Sequence, residues 1–195
     1  GVQTCALPIS YHPAFRHAGP PRREIGIPTV FNLLGPMANP ARVTRQVIGV
    51  ANPTVAERMI ATLAAHGSRS AWVVHGNGLD ELTTTGSSTV LALDDGHVSR
   101  FTVDPVSLGL APATAHELTG GDPAENAAAA RRILGGEHGA HRNIVVLNAG
   151  AALVVAGVVP DHAAGIAAAE SALDSGAAAR ALADLVRESN EAASA

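Results

Sequence analysis

The chain has 195 residues, a length that suits one sizeable domain. Its net charge is −4 at pH 7 and its 13 basic residues are dispersed, which argues against a protein that grips a nucleic-acid backbone with a concentrated basic face. Residues are 47% hydrophobic but only 3% aromatic, so the core must consist of Ala, Val, Leu and Ile, and no apolar run predicts a membrane span.

The first ten residues carry the single cysteine, Cys5, and are unusual in composition. One cysteine cannot form an internal disulfide and has no metal-ligand spacing around it, so we predict a reducing, cytoplasmic location. The segment GVQTCALPIS has no charged region typical of a signal peptide. We interpret residues 1–10 as a leader that is non-native or wrongly assigned, and we base no functional inference on it.

Prolines punctuate the next thirty residues, so regular elements there must be short. Residues 22–26 can form only a short helical turn. Residues 29–34 are an apolar run whose period fits a buried strand or a helix equally well.

A strand–helix–strand pattern follows with short connections. Residues 46–50 are a β-branched run, and Asn52 with Pro53 forms a strong helix start. The helix should end at Gly67, before a second apolar strand at residues 71–74. This βαβ unit predicts two parallel strands joined by a right-handed crossover.

Residues 89–93 and 98–103 are two further strand-like runs, and the intervening Asp94-Asp95-Gly96 is typical of a turn. They predict a β-hairpin.

The second half of the chain is predicted to be helical. Asp122, Pro123 and Glu125 form a helix start that leads into a helix ending near residue 134.

Three more helices are expected at residues 144–159, 161–173 and 177–188, the first of them buried because it is apolar nearly all round. Residues 191–195 should fray. We therefore predict an α/β domain over residues 11–190 with a mixed, largely parallel sheet flanked by helices.

Asp80 and Glu81, which we call the carboxylate pair, follow the predicted strand 71–74 in a loop that contains Gly76 and Gly78. Ligands of open parallel sheets bind beyond the carboxyl ends of strands, and Mg²⁺ takes one or two carboxylates plus water and phosphate oxygens. A solvated acidic pair is the alternative, and on spacing alone it is favoured.

Three arginines, Arg16, Arg22 and Arg23, lie within eight residues beside the prolines. A guanidinium can hold a carboxylate in a two-pronged hydrogen bond, so this cluster could bind an organic acid. An Arg–Glu pair on the surface is an equally good interpretation of the residues alone.

The segment HPAFRHAGPPRREIGIPTVFNLLGPMANP at residues 12–40, followed by HGNGLDELTTTG at residues 75–86, resembles anthranilate phosphoribosyltransferase. The resemblance covers roughly residues 11–187. It implies the C-terminal α/β domain of the nucleoside phosphorylase and phosphoribosyltransferase type. The implied reaction moves phosphoribose from phosphoribosyl pyrophosphate to anthranilate, giving N-(5-phosphoribosyl)anthranilate and pyrophosphate in tryptophan biosynthesis.

The resemblance also implies roles for individual residues. Asp80 and Glu81 match the family's Mg²⁺-binding acids, and Arg22 matches the arginine that binds anthranilate. Phe15 either walls the anthranilate site or belongs to the core. No residue of the chain is expected to act as a catalytic acid, base or nucleophile. The implied partners are anthranilate and phosphoribosyl pyrophosphate, with no nucleic acid and no membrane.

Two phosphate-binding segments of the family, GTGGD-like and KHGNR-like, do not occur among the 195 residues. Neither does its small helical domain, which forms much of the homodimer contact. The chain is therefore expected to be a C-terminal fragment that is inactive alone, with the dimer interface largely missing. Alternatives are a pyrimidine nucleoside phosphorylase-like enzyme, which would not be expected to carry the carboxylate pair, and a non-catalytic nucleic-acid-binding relative, which would need a basic groove.

Overall fold

A computed structural model describes residues 17, 19–26, 37 and 41–194. The expected leader at residues 1–10 and the ambiguous run at residues 29–34 lie outside the described residues. The short helix expected near residue 22 is present as α1, Gly19–Ile25.

The described strands form one mixed sheet in the order β1-β2-β3-β4. The strands are β1 Arg45–Gly49, β2 Ser70–Gly76, β3 Ser88–Asp94 and β4 His97–Val103. β1 and β2 are parallel and are joined through helix α2, Ala56–Ala65, which confirms the βαβ unit. β3 and β4 form the expected antiparallel hairpin, and β3 also pairs antiparallel with β2. Among these strands parallel pairing is thus confined to β1 and β2.

Four helices follow the sheet: α3 Pro123–Leu134, α4 Ala140–Ala156, α5 His162–Asp174 and α6 Ala177–Ser194. Their existence and order confirm the helical second half. The Asp122 carboxylate accepts from the amides of Ala124 and Glu125, while Glu125 accepts from the Asp122 amide, so the expected helix start is a complete capping box. α6 continues beyond the predicted end at residue 188, and fraying of residues 191–195 stays a prediction. No helix in the described residues is long and apolar enough to cross a membrane.

Both faces of the sheet are covered, because the alternating side chains of β2 enter two different apolar clusters. Ala71 and Val73 pack with α2 on one face, whereas Trp72 and Val74 pack with α4 and α5 on the other. β2 is accordingly buried along nearly its whole length. Its carboxyl end is therefore held rigidly, which matters for the loop that follows it.

Helices α4 and α5 cross with their backbones in contact. A Cβ atom built on Gly165 of α5 would lie 2.8 Å from the Cα of Gly150 on α4. At another point along the pair, the buried Arg142 guanidinium donates to the carboxylate of Asp174 across 2.7 Å. The two helices therefore behave as one packed unit.

His162, the first residue of α5, should make stability depend on pH. Its Nε2 lies 2.8 Å from the carbonyl oxygen of Leu147, and its ring meets Trp72 edge-on at 5.6 Å. Burial lowers the His162 pKa, with the Leu147 carbonyl and the Asp161 charge opposing the shift. The unfolded chain therefore binds this proton more readily than the folded one, so stability is full above the unfolded pKa and falls as the pH drops through the folded pKa.

Replacing His162 by Gln keeps an N–H donor for the Leu147 carbonyl and removes the titration. We expect this variant to lose less stability than the wild type between pH 7.5 and pH 5. Urea unfolding followed by the fluorescence of Trp72, the single tryptophan, measures the difference. Equal losses in the two proteins would show that His162 does not carry this dependence.

Candidate functional site

The loop at residues 77–87 leaves the carboxyl end of β2 and carries the carboxylate pair. Asn77 and Gly78 have φ values of +49° and +90°, and the flanking residues Gly76 and Leu79 exchange backbone hydrogen bonds of 3.1 and 2.8 Å. Two consecutive positive φ angles closed in this way form a tight two-residue turn, for which Asn-Gly is the preferred sequence. The chain thus doubles back at once, which returns the carboxylate pair towards the strand ends.

Two glycines at the strand ends provide the surface on which the loop lies. A Cβ atom on Gly49, the last residue of β1, would collide with the backbone carbonyl of Asp80. A Cβ atom on Gly76, the last residue of β2, would collide with the backbone carbonyl of Glu81. The loop backbone can rest directly on the sheet edge only because both positions lack side chains.

The residue after the carboxylate pair, Leu82, is anchored from helix α4. The Asn148 Oδ1 accepts from the Leu82 amide across 3.0 Å, and the Asn148 Nδ2 donates to the Leu82 carbonyl across 2.8 Å. The same Nδ2 donates to the Ile144 carbonyl across 2.9 Å, and the Leu82 side chain is fully buried. Asn148 thus satisfies both backbone polar groups of Leu82.

The rest of the loop is closed by hydroxyl groups. The Thr83 amide donates to Ser88 Oγ across 3.0 Å, and the Thr85 amide donates to Thr83 Oγ1 across 3.1 Å. The Asn77 side-chain amide donates to Thr85 Oγ1 across 3.3 Å. These hydroxyls replace the backbone partners that a strand or helix would supply, so the loop has a defined shape.

A cleft of about 630 Å³ opens beside the loop, between it, the segment 113–119 and the start of α4. Its walls are largely aliphatic. Its polar lining consists of Asn77, Glu81, Thr85, Thr114, Thr119 and His141. Glu81 therefore faces the cleft, and its neighbour Asp80 is exposed beside it. Glu81 thus lies at a cleft beside the strand carboxyl ends, while the metal role of the pair stays a prediction.

The two negative charges of the carboxylate pair repel each other. Partial burial raises the pKa of Glu81, and the negative charge of Asp80 raises it further. A divalent cation would relieve this repulsion, so the donor chemistry fits Mg²⁺. Within the described ranges no group of three or more His, Cys, Asp or Glu side chains could hold a metal. A cation bound by the pair would thus complete its coordination with water or substrate oxygens, as Mg²⁺ commonly does.

The predicted anthranilate contacts fall where the structure gives no side-chain description. Arg22 belongs to α1, but its side chain and that of Arg23 lie outside the described part of the chain. Phe15 lies outside it entirely. Their roles, and their placement relative to the carboxylate pair, stay predictions.

Comparison with known proteins supports the resemblance on which those roles rest. The chain is 53% identical over 182 residues to an anthranilate phosphoribosyltransferase of Methylorubrum populi, covering 93% of this chain and 54% of that protein. It is 49% identical to that of Caulobacter vibrioides over 181 residues, covering 93% and 53%. The chain thus spans about half the length of the curated relatives it matches.

Solved structures give the same result and confirm both the resemblance and the α/β fold class. The anthranilate phosphoribosyltransferase of Thermus thermophilus superposes with a TM-score of 0.83 at 42% identity, covering 90% of this chain and 52% of that one. The Saccharomyces cerevisiae enzyme in complex with PRPP and Mg superposes with a TM-score of 0.79 at 28% identity, covering 88% and 50%. Residues 4–179 match the family described as the glycosyl transferase family, a/b domain, and the chain belongs to this family.

Proposed function

We propose that this protein serves the transfer of phosphoribose from phosphoribosyl pyrophosphate to the amine of anthranilate, releasing pyrophosphate, in tryptophan biosynthesis. The observation that carries the proposal is the carboxylate pair on a loop pinned to the carboxyl ends of two parallel strands. The names of the relatives and solved structures support the same reaction. The homodimer and the cytoplasmic location belong to this proposal as predictions.

The chain's residues would bind and orient the reactants. Asp80 and Glu81 would hold Mg²⁺, which supplies positive charge next to the departing pyrophosphate. Arg22 would hold the anthranilate carboxylate in a two-pronged hydrogen bond, with Phe15 as a candidate wall. The anthranilate amine then forms a bond to the anomeric carbon, the carbon–oxygen bond to pyrophosphate breaks, and the amine releases a proton to water. The aromatic amine is already a usable nucleophile, so positioning and charge carry the reaction without a strong base.

The proposal can be tested in a chimera that joins residues 11–195 to the remaining half of the Methylorubrum populi relative. We expect the double change Asp80→Asn with Glu81→Gln to raise the Mg²⁺ concentration needed for half-maximal rate by at least roughly 10- to 150-fold, because the loss of even one charged contact costs about 1.5–3 kcal/mol. The rate of disappearance of anthranilate fluorescence measures this.

Asp95→Asn is the matched control, since Asp95 is an exposed acid in the β3–β4 turn, which lies at the amino end of β2 and therefore at the opposite end of the strand from the loop. An unchanged Mg²⁺ requirement in the double variant would remove the metal role of the carboxylate pair. Phosphorolysis of pyrimidine nucleosides by the chimera, without consumption of anthranilate, would favour the phosphorylase alternative.

A further inference from the structure

We propose that Asn148 is a positioning residue, which fixes the backbone of Leu82 and thereby holds the carboxylate pair at the cleft. The inference deepens the proposed function and rests on it for what the pair binds. It rests on the structure alone for how the pair is held.

The carboxamide of Asn148 pairs with both backbone polar groups of Leu82. Its oxygen accepts from the Leu82 N–H, and its NH₂ donates to the Leu82 C=O. A hydroxyl could not accept and donate over the same span, and a carboxylate would face the carbonyl with lone pairs. Because the Leu82 N–H lies in the planar peptide group that also contains the Glu81 carbonyl, a shift of this N–H moves the Glu81 backbone with it.

A third hydrogen bond fixes the direction of the carboxamide. The second proton of the Asn148 NH₂ is taken by the Ile144 carbonyl, one turn earlier in α4. A flipped amide would direct its oxygen at both carbonyls and its NH₂ at the Leu82 N–H. The helix thus determines that the amide oxygen meets the Leu82 N–H and that the NH₂ group meets the Leu82 C=O.

The helix that carries Asn148 is itself immobilised. α4 is buried along the face that includes Val146, Leu147 and Ala151, and it crosses α5 in backbone contact at Gly150. The loop, in contrast, is exposed at residues 77–81. Of the two partners, the helix is therefore the fixed one. Asn148 holds the loop in place relative to this helix, although the two are 66 residues apart in the sequence.

Hydrogen exchange measured by NMR on the 195-residue chain tests this role without any ligand. Asn148→Leu keeps a similar size and removes all three hydrogen bonds, and Asn148→Ala is a second variant with a smaller side chain. We expect the amides of Leu82, Thr83 and Thr85 to exchange roughly 10- to 100-fold faster in both variants, relative to buried strand amides such as that of Val73.

Val155→Ala is the control, since Val155 is buried on the same helix two turns from Asn148 and its truncation weakens the core without touching the loop. In this variant, loop and strand amides should keep their relative rates. Loop amides that exchange no faster than strand amides in Asn148→Leu would overturn the proposal.

Binding of Mn²⁺, followed by electron paramagnetic resonance, gives a second readout with every carboxylate retained. We expect Asn148→Leu to weaken Mn²⁺ binding by roughly 10- to 100-fold, as loss of a supporting partner commonly does. Weaker binding in Glu81→Gln with unchanged binding in Asn148→Leu would overturn the positioning role. Equal binding by the wild type and Glu81→Gln would remove the metal role of the pair instead, and the exchange rates would still decide the role of Asn148.

Discussion

The 195-residue chain alone is expected to convert no detectable anthranilate with phosphoribosyl pyrophosphate and Mg²⁺. The carboxylate pair and Arg22 account for a cation and an organic acid, whereas the phosphate-binding segments expected for this reaction do not occur in its sequence. The anomeric carbon would then be unpositioned, and positioning can carry about 7–11 kcal/mol of a barrier. The loss of rate should thus exceed that from any single substitution.

The measurement is the decay of anthranilate fluorescence with purified chain, beside the chimera that contains the other half of the Methylorubrum populi relative. The chimera should recover turnover, which separates a lack of phosphate contacts from a misfolded α/β domain. Turnover by the chain alone within about tenfold of an intact relative, a barrier difference under about 1.4 kcal/mol, would contradict the prediction.

Arg22→Ala in the chimera should raise the KM for anthranilate by roughly 10- to 150-fold and leave that for phosphoribosyl pyrophosphate nearly unchanged. The reason is the loss of a charge-assisted hydrogen-bond pair to the anthranilate carboxylate, worth about 1.5–3 kcal/mol. Initial rates over a grid of both substrate concentrations measure the two constants separately.

Arg23→Ala is the neighbouring control and should change neither constant appreciably. Equal weakening of both substrates by Arg22→Ala would indicate that α1 is displaced and that the carboxylate is held elsewhere. No weakening at all would return Arg22 to the alternative interpretation as a surface ion pair.

The parts of the fold that the sequence predicts correctly are those marked by capping residues or turn residues close to them in the chain. Asn52 accepts from the Thr54 amide at the predicted helix start, and Asp122 caps α3 through residues two and three positions away. Because the interacting residues are two or three positions apart, their residue types can be recognised within one short stretch of sequence. The predicted range 144–159 for α4 is wrong at both ends, since the helix spans Ala140–Ala156. Gly157, at φ +75°, ends the helix and was a usable signal.

The parts of the site that the sequence could not supply depend on distant pairs. Nothing in the letters around Gly49 indicates that its missing side chain makes room for the Asp80 carbonyl, and Asn148 lies 66 residues from Leu82. The sequence motif identifies Asp80 and Glu81 themselves, and the dipeptide Asn77-Gly78 before them is typical of a tight turn. What the motif lacks is the support that gives the two carboxylates a fixed place.

The contact between Gly150 and Gly165 makes the candidate site depend on α5, a helix that lies outside it. An alanine at Gly165 would have to part α5 from α4, since its methyl group would lie 2.8 Å from the Gly150 Cα. Gly150 is two residues from Asn148 on the same helix. A genetic screen for impaired cation use should therefore return changes on α5, a helix that contributes nothing to the cleft lining, and these would be mistaken for ordinary folding defects.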